Sequence, residues 1–144
     1  IAMNREAIYS ALWAKLDALD GFVTKSRKLL HWNDVKRYDQ PALFMSQGDM
    51  QAVTLTGQET KWILRVNVYL YVQTSGEPPA PIMNPLIDAV CNTVNAVHPI
   101  TGKTALVADG ADVEYCRVEG TVETDEGTLG EQAVCIIPIM ICAA

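Results

Sequence analysis

Metal-binding cysteine pairs are missing from this chain: its four cysteines, Cys91, Cys116, Cys135 and Cys142, stand singly inside apolar runs. Without CxxC or CxxH spacing the usual zinc frameworks are excluded, and reduced thiols acting as small hydrophobes, in a cytoplasmic setting, are the expectation. Basic charge is also scarce. With 11 Lys and Arg against 17 Asp and Glu, the net charge of −6 is the wrong balance for gripping nucleic-acid phosphates, and no sequence recognition of nucleic acid is expected. No stretch reaches the roughly 18 apolar residues of a membrane span, and no signal peptide is visible. Phosphate loops are lacking as well. Gly102-Lys103-Thr104 resembles part of a Walker motif, but Val97 stands where that motif needs its first glycine, and the tripeptide follows a helical pattern rather than a strand.

Catalytic groups are equally sparse. Of the two histidines, His31 sits beside Trp32 and His98 between Val97 and Pro99. Neither has a local nucleophile or carboxylate partner, and His98 is explained by a helix C-terminus. The carboxylates gather in one stretch, Glu119, Glu123, Asp125, Glu126 and Glu131. Their spacing is not that of an EF-hand, so a solvated turn is the expected reading; no metal and no cofactor is expected.

What the chain does contain is a long, two-natured strand. In Trp62–Gln73, Trp62, Leu64, Val66, Val68, Leu70 and Val72 alternate with Ile63, Arg65, Asn67, Tyr69, Tyr71 and Gln73. At roughly 3.3 Å per residue it spans about 40 Å, twice an ordinary strand. Its second face is neither plain core nor plain surface. Tyrosines on a polar face offer apolar area with a polar tip, so Arg65, Asn67, Tyr69 and Tyr71 are the expected oligomer interface.

The remaining elements follow from local signals. Asn4 caps a helix whose stripe is Ile8, Leu12, Leu16 and Leu19, closed by Asp20-Gly21. Phe22–Leu30 reads as a strand with Lys25 and Arg27 on a solvated face, His31–Gln40 as an irregular connection, and Pro41–Gln47 as a strand. Gly48-Asp49 is read as a turn leading to a short strand, Gln51–Thr56, which pairs with Thr60–Gln73 in a projecting hairpin. The hairpin residues Asp49 and Gln51 and the turn residues Asp125 and Glu126 are expected contact loops. Residues 75–81 read as a stiff proline linker, and Asn84-Pro85 as a cap and first helical position opening a helix with the stripe Leu86, Val90, Val94 and Val97. Ala105–Ala108 reads as a brief strand, and Val113–Thr124 and Gln132–Cys142 as the last two strands. The final strand is apolar on both faces yet contains Pro138, an edge-type residue that hints at a neighbouring subunit. The order implies one α+β domain over residues 3–144: a two-layer sandwich of a mostly antiparallel sheet with both helices on one face. Ile1 and Ala2, ahead of Met3, read as a vector scar.

The segments NREAIYSALWAKLDALDGFVTKSRKLLHW, DQPALFMSQG, WILRVNVYLYV and EGTVETDEGTLGEQAVCIIPIMI together resemble bacteriophage and prophage tail terminators (minor tail protein U-like) and tail-completion proteins. The resemblance implies a ring, a hexamer of this chain. Such a ring caps the tail tube, ends its polymerisation and presents a head-attachment surface. It implies the tail tube protein and a head–tail connector as partners and a location in the virion tail or neck, with assembly in the host cytoplasm. It supplies no catalytic residues. Three other readings stand beside it. A small hydrolase would use the Glu119–Glu131 carboxylates, which must converge in a pocket. Another head–tail neck protein would share the fold, and a ligand-binding domain would need a closed apolar pocket under the helices.

Overall fold

Asn4 opens the first helix by accepting a hydrogen bond from the Ala7 N–H at 3.1 Å, a cap worth about 1 kcal/mol. In the computed structural model, which describes residues 3–74, 76–127 and 131–144, helix α1 runs Arg5–Asp17 and buries Ile8, Tyr9, Leu12 and Leu16. Gly21, at φ +94°, then turns the chain toward the sheet.

Six strands follow among the described residues: β1 (Thr24–Ser26), β2 (Ala42–Val53), β3 (Lys61–Gln73), β4 (Val113–Val118), β5 (Glu123–Asp125) and β6 (Gln132–Ala143). The sheet order is β1-β2-β3-β6-β4, with β5 also on β6. Only β1 is parallel to its neighbour, so the sheet is mixed. Helix α2 (Ala80–Val94) packs with α1 against one face, over Leu64, Val66, Val68, Leu70 and Val72 of β3 and Ala133, Cys135, Ile137, Ile139 and Ile141 of β6. This is the expected α+β arrangement with both helices on one side.

Several local boundaries differ from the sequence expectation. The strand expected over Phe22–Leu30 shrinks to three residues. Lys25 and Arg27 are not a solvated face: Lys25 Nζ donates to the backbone oxygens of Asp17 and Leu19 at the end of α1, and Arg27 grips Glu6 of α1 through both terminal nitrogens. Gly48-Asp49 is not a turn but a β-bulge within one continuous β2, where the register shifts between Gln47 and Met50. A Cβ on Gly48 would lie 3.2 Å from Arg65 Cβ and from the Arg65 backbone oxygen, so the bulge brings two backbones together where only glycine fits easily.

The second helix starts at Ala80, inside the expected linker, and Pro85 is an interior residue. Prolines 79 and 81 suit a first turn that lacks donors anyway, and Met83, 2% exposed, anchors that turn in the core. Val97 lies beyond the helix and is exposed, joined to Thr104 by an isolated bridge in place of the strand expected at Ala105–Ala108. His98 Nδ1 accepts from the backbone N–H groups of Ile100 and Thr101, organising that turn. The expected linker and the final turn extend over Ser75 and over Thr128, Leu129 and Gly130, which lie outside the described residues.

Val113–Thr124 is two strands rather than one, and Pro138 explains the break. The Pro138 carbonyl accepts from the Glu119 N–H at 3.1 Å, so the absent donor of Pro138 points to the same side, into the gap between β4 and β5. A Cβ on Gly120 in that gap would meet the Pro138 ring at 3.1 Å. The proline therefore sits in a central strand, opposite an interruption of the ladder on that side, while β3 pairs with the other side throughout.

Candidate assembly surface

The sheet face without helices gathers the odd residues of β3 with the even residues of β6. Across it, Arg65 lies beside Met140, Asn67 beside Pro138, Tyr69 beside Ile136 and Tyr71 beside Val134. Strand alternation alone puts Arg65, Asn67, Tyr69 and Tyr71 on one face, as expected from the sequence. The structure then separates them. Arg65, Asn67 and Tyr69 are half-buried, whereas Tyr71 is 4% exposed.

Tyr71 is covered by residues 30–40, a strap with two 3₁₀ turns, Trp32–Asp34 and Arg37–Asp39. Val35, Ala42, Phe44 and Tyr71 form a second small core, with Trp32, Tyr69 and Val134 at its margin. The Tyr71 hydroxyl donates to the Leu30 carbonyl at 2.7 Å. Burial, with the neighbouring Tyr69, pushes the Tyr71 pKa up to about 12. A buried pair fixes the strap: Gln40 Nε2 donates to Gln132 Oε1 and to the Val35 carbonyl, and Gln132 Nε2 donates to the Trp32 carbonyl. Tyr71 thus positions the surface from beneath, and its ring offers a partner almost nothing. Sequence reading missed Gln40 and Gln132, which are 92 residues apart and carry no shared local signal.

Toward the other end of the face the polar groups are paired. Arg65 Nε lies 3.2 Å from Asp49 Oδ1 across the bulge. Arg117 lies over the Tyr115 ring at 4.1 Å and contacts Glu119 at 3.2 Å. The expected contact-loop residues fall at opposite sides of the sheet. Asp49 and Gln51 are exposed on β2; Glu126 is exposed beyond β5, where Asp125 Oδ1 accepts from the Gly127 N–H at 3.2 Å. Beside β5 a shallow groove of about 520 Å³ has Val134 and Ile136 as its floor and residues 121–125 as its wall.

Among the described residues, groups that could do chemistry do not converge. Glu119, Glu123, Glu126 and Glu131 are exposed along the chain, and no group of three metal-ligating side chains occurs among the described residues. The four cysteines are free, and burial pushes Cys116 up to about 12 and Cys135 up to about 11, keeping both as protonated thiols. His31 Nδ1 accepts from the Asn33 N–H, a turn contact. The space between helices and sheet is filled by core side chains, Ile8, Leu12, Leu16 and Val90 among them at 0% exposure. No helix is long and apolar enough to cross a membrane among the described residues.

No protein-family model matches the sequence, and no curated protein matches it. Among solved structures, a chain in the virion of a native gene transfer agent particle superposes with a TM-score of 0.64 at 8% identity. The match covers 96% of this chain and 95% of that one. At such low identity the likeness establishes a shared fold, and it does so over nearly the full length of both chains.

Proposed function

We propose that this chain is a structural subunit of a phage-like particle, a tail terminator that forms a hexameric ring on the end of the tail tube. The observation that carries the reading is the fold likeness to a virion chain, which extends over 96% of this chain and 95% of the other. The resemblance of the sequence to tail terminators is in accord with it. So is a sheet face that is half apolar and only partly covered, around Arg65, Asn67 and Tyr69, which we assign to contact with a neighbouring subunit.

The mechanism is steric. A closed ring seated on the last layer of the tube covers the exposed strand edges that would template another layer, and so ends growth. Its outer side then receives the connector of the head. The bulge residues Asp49 and Gln51 and the turn residues Asp125 and Glu126 are the proposed contact points with tube and head.

Native mass spectrometry and negative-stain microscopy of the purified chain, alone and with tail tubes of its own particle, test this. Rings that bind tube ends and hold tube length constant are expected. A chain that stays monomeric in both settings overturns the reading. Rings that bind heads but ignore tubes replace it with a different neck protein of the same fold.

A further inference from the structure

The two shortest strands, β1 and β5, lie at opposite edges of the sheet and at the same level. One line of register runs Thr24, Ala42, Tyr71, Val134, Asp125. The next runs Lys25, Leu43, Leu70, Cys135, Thr124, and the third Ser26, Phe44, Tyr69, Ile136, Glu123. The strand senses alternate from β2 to β5 while β1 follows β2, so β1 and β5 run in opposite directions. A second copy placed alongside in the same orientation therefore brings its β1 beside β5 as an antiparallel neighbour.

The two edges also differ in the way a joint requires. Flanking β1 in the chain stand the exposed apolar Val23, at 62%, and the exposed cation Lys28. The β5 edge carries the groove floored by Val134 and Ile136, and the exposed carboxylates Glu123 and Glu126. The two sides are thus complementary in kind: exposed apolar Val23 and cationic Lys28 on one, an apolar groove rimmed by carboxylates on the other. Three-residue edges offer few ladder hydrogen bonds, so the groove and the charges complete the contact.

We propose that the β1 edge of one copy seats on the β5 edge of the next, joining the subunits head to tail. The proposal rests on the ring reading above and names the surfaces that make the ring. Such a contact uses two different patches, so it propagates in one direction and closes when the rotation allows. It is continuous with the half-buried face, because Ile136 in the groove is the cross-strand neighbour of Tyr69.

Paired cysteines test the joint. Within one chain β1 and β5 are four strand spacings apart, roughly 19 Å, far beyond the ~7 Å between Cα atoms that a disulfide tolerates. A bond between them must therefore join two copies. The full chain carrying Ser26→Cys with Glu123→Cys, mildly oxidised, is expected to give a ladder of covalent oligomers that ends at the ring size on a non-reducing gel. Neither single variant should do so. Thr24→Cys with Asp125→Cys, on the same face and in the same register, is a second pair should the first disturb folding. Native mass spectrometry of the unmodified chain runs alongside. Rings without a ladder from either pair overturn the edge joint and leave the ring reading standing. Dimers from one single-cysteine variant overturn the joint by revealing a symmetric contact. Monomers throughout, alone and with tail tubes, with no ladder, overturn both.

Discussion

Arg65 and Asp49 meet across the β-bulge of β2, Nε to Oδ1 at 3.2 Å, where Gly48 lets the two backbones approach. The ion pair is solvent-exposed, Asp49 at 80%, so it shapes the surface more than it stabilises the fold. Asp49→Asn is expected to cost less than about 1 kcal/mol. Gly48→Ala forces a methyl against the backbone of β3, which is held on both sides by β2 and β6, and should cost about 1–3 kcal/mol. Urea denaturation of the two variants measures both, and an equal cost would contradict this ranking.

Gly120 combines a positive φ of +121° with a close approach to the Pro138 ring. Gly120→Ala should destabilise by about 1–3 kcal/mol through strain and contact together. In a Pro138→Ala background the contact part disappears while the φ strain persists. A double-mutant cycle should therefore show a smaller Gly120→Ala cost in that background.

Tyr71 is protonated in the folded chain up to about pH 12, while its ordinary pKa is 10.0. A raised folded pKa means that the contribution is complete below pH 10 and is lost as pH rises toward 12. Burial raises Tyr9 and Tyr115 as well, so absorbance titration at alkaline pH should show Tyr71 among the late-ionising tyrosines. Tyr71→Phe should reduce the late-ionising amplitude by one tyrosine and cost about 1 kcal/mol, the value of its bond to the Leu30 carbonyl.

Glu6 is held at about 2 by hydrogen bonds from Arg27 and Ser10. Its folded pKa is depressed, so the link between α1 and the β1 edge is present above pH 4.5 and is lost as pH falls toward 2. Carboxyl NMR titration checks the value. Arg27→Ala should raise it toward the ordinary range, and an unchanged titration would show that Arg27 is not the cause.

Periodicity reveals the parts whose environment is decided locally. α1 follows from a capping Asn4 and a stripe at helical spacing, and β3 and β6 from alternation, so the shared face of Arg65, Asn67 and Tyr69 is legible in the residue pattern alone. What is not legible depends on residues remote in sequence. Tyr71 looks like its neighbours in the chain, but the strap tied down by Gln40 and Gln132 covers it. Gly48-Asp49 carries turn chemistry, and only the continuous pairing with β3 makes it a bulge. Asn84-Pro85 carries a helix-start signal, overridden by a first turn that begins at Ala80 and buries Met83. The level alignment of β1 and β5 is a property of the assembled register, which no local window contains.

The position of β6 has a consequence for how the molecule is made. It pairs with β3 along its full length on one side and with β4 and β5 on the other, so among the described strands it is the sole link between two halves of the sheet. Following every other strand in chain order, its pairing with β3 is non-local and requires closing a long loop. During synthesis the first three strands can meet before β6 emerges, but β5 has no partner and the groove no floor until it docks. The β5 edge therefore exists only on chains in which β6 is in place, a built-in check on which copies present it.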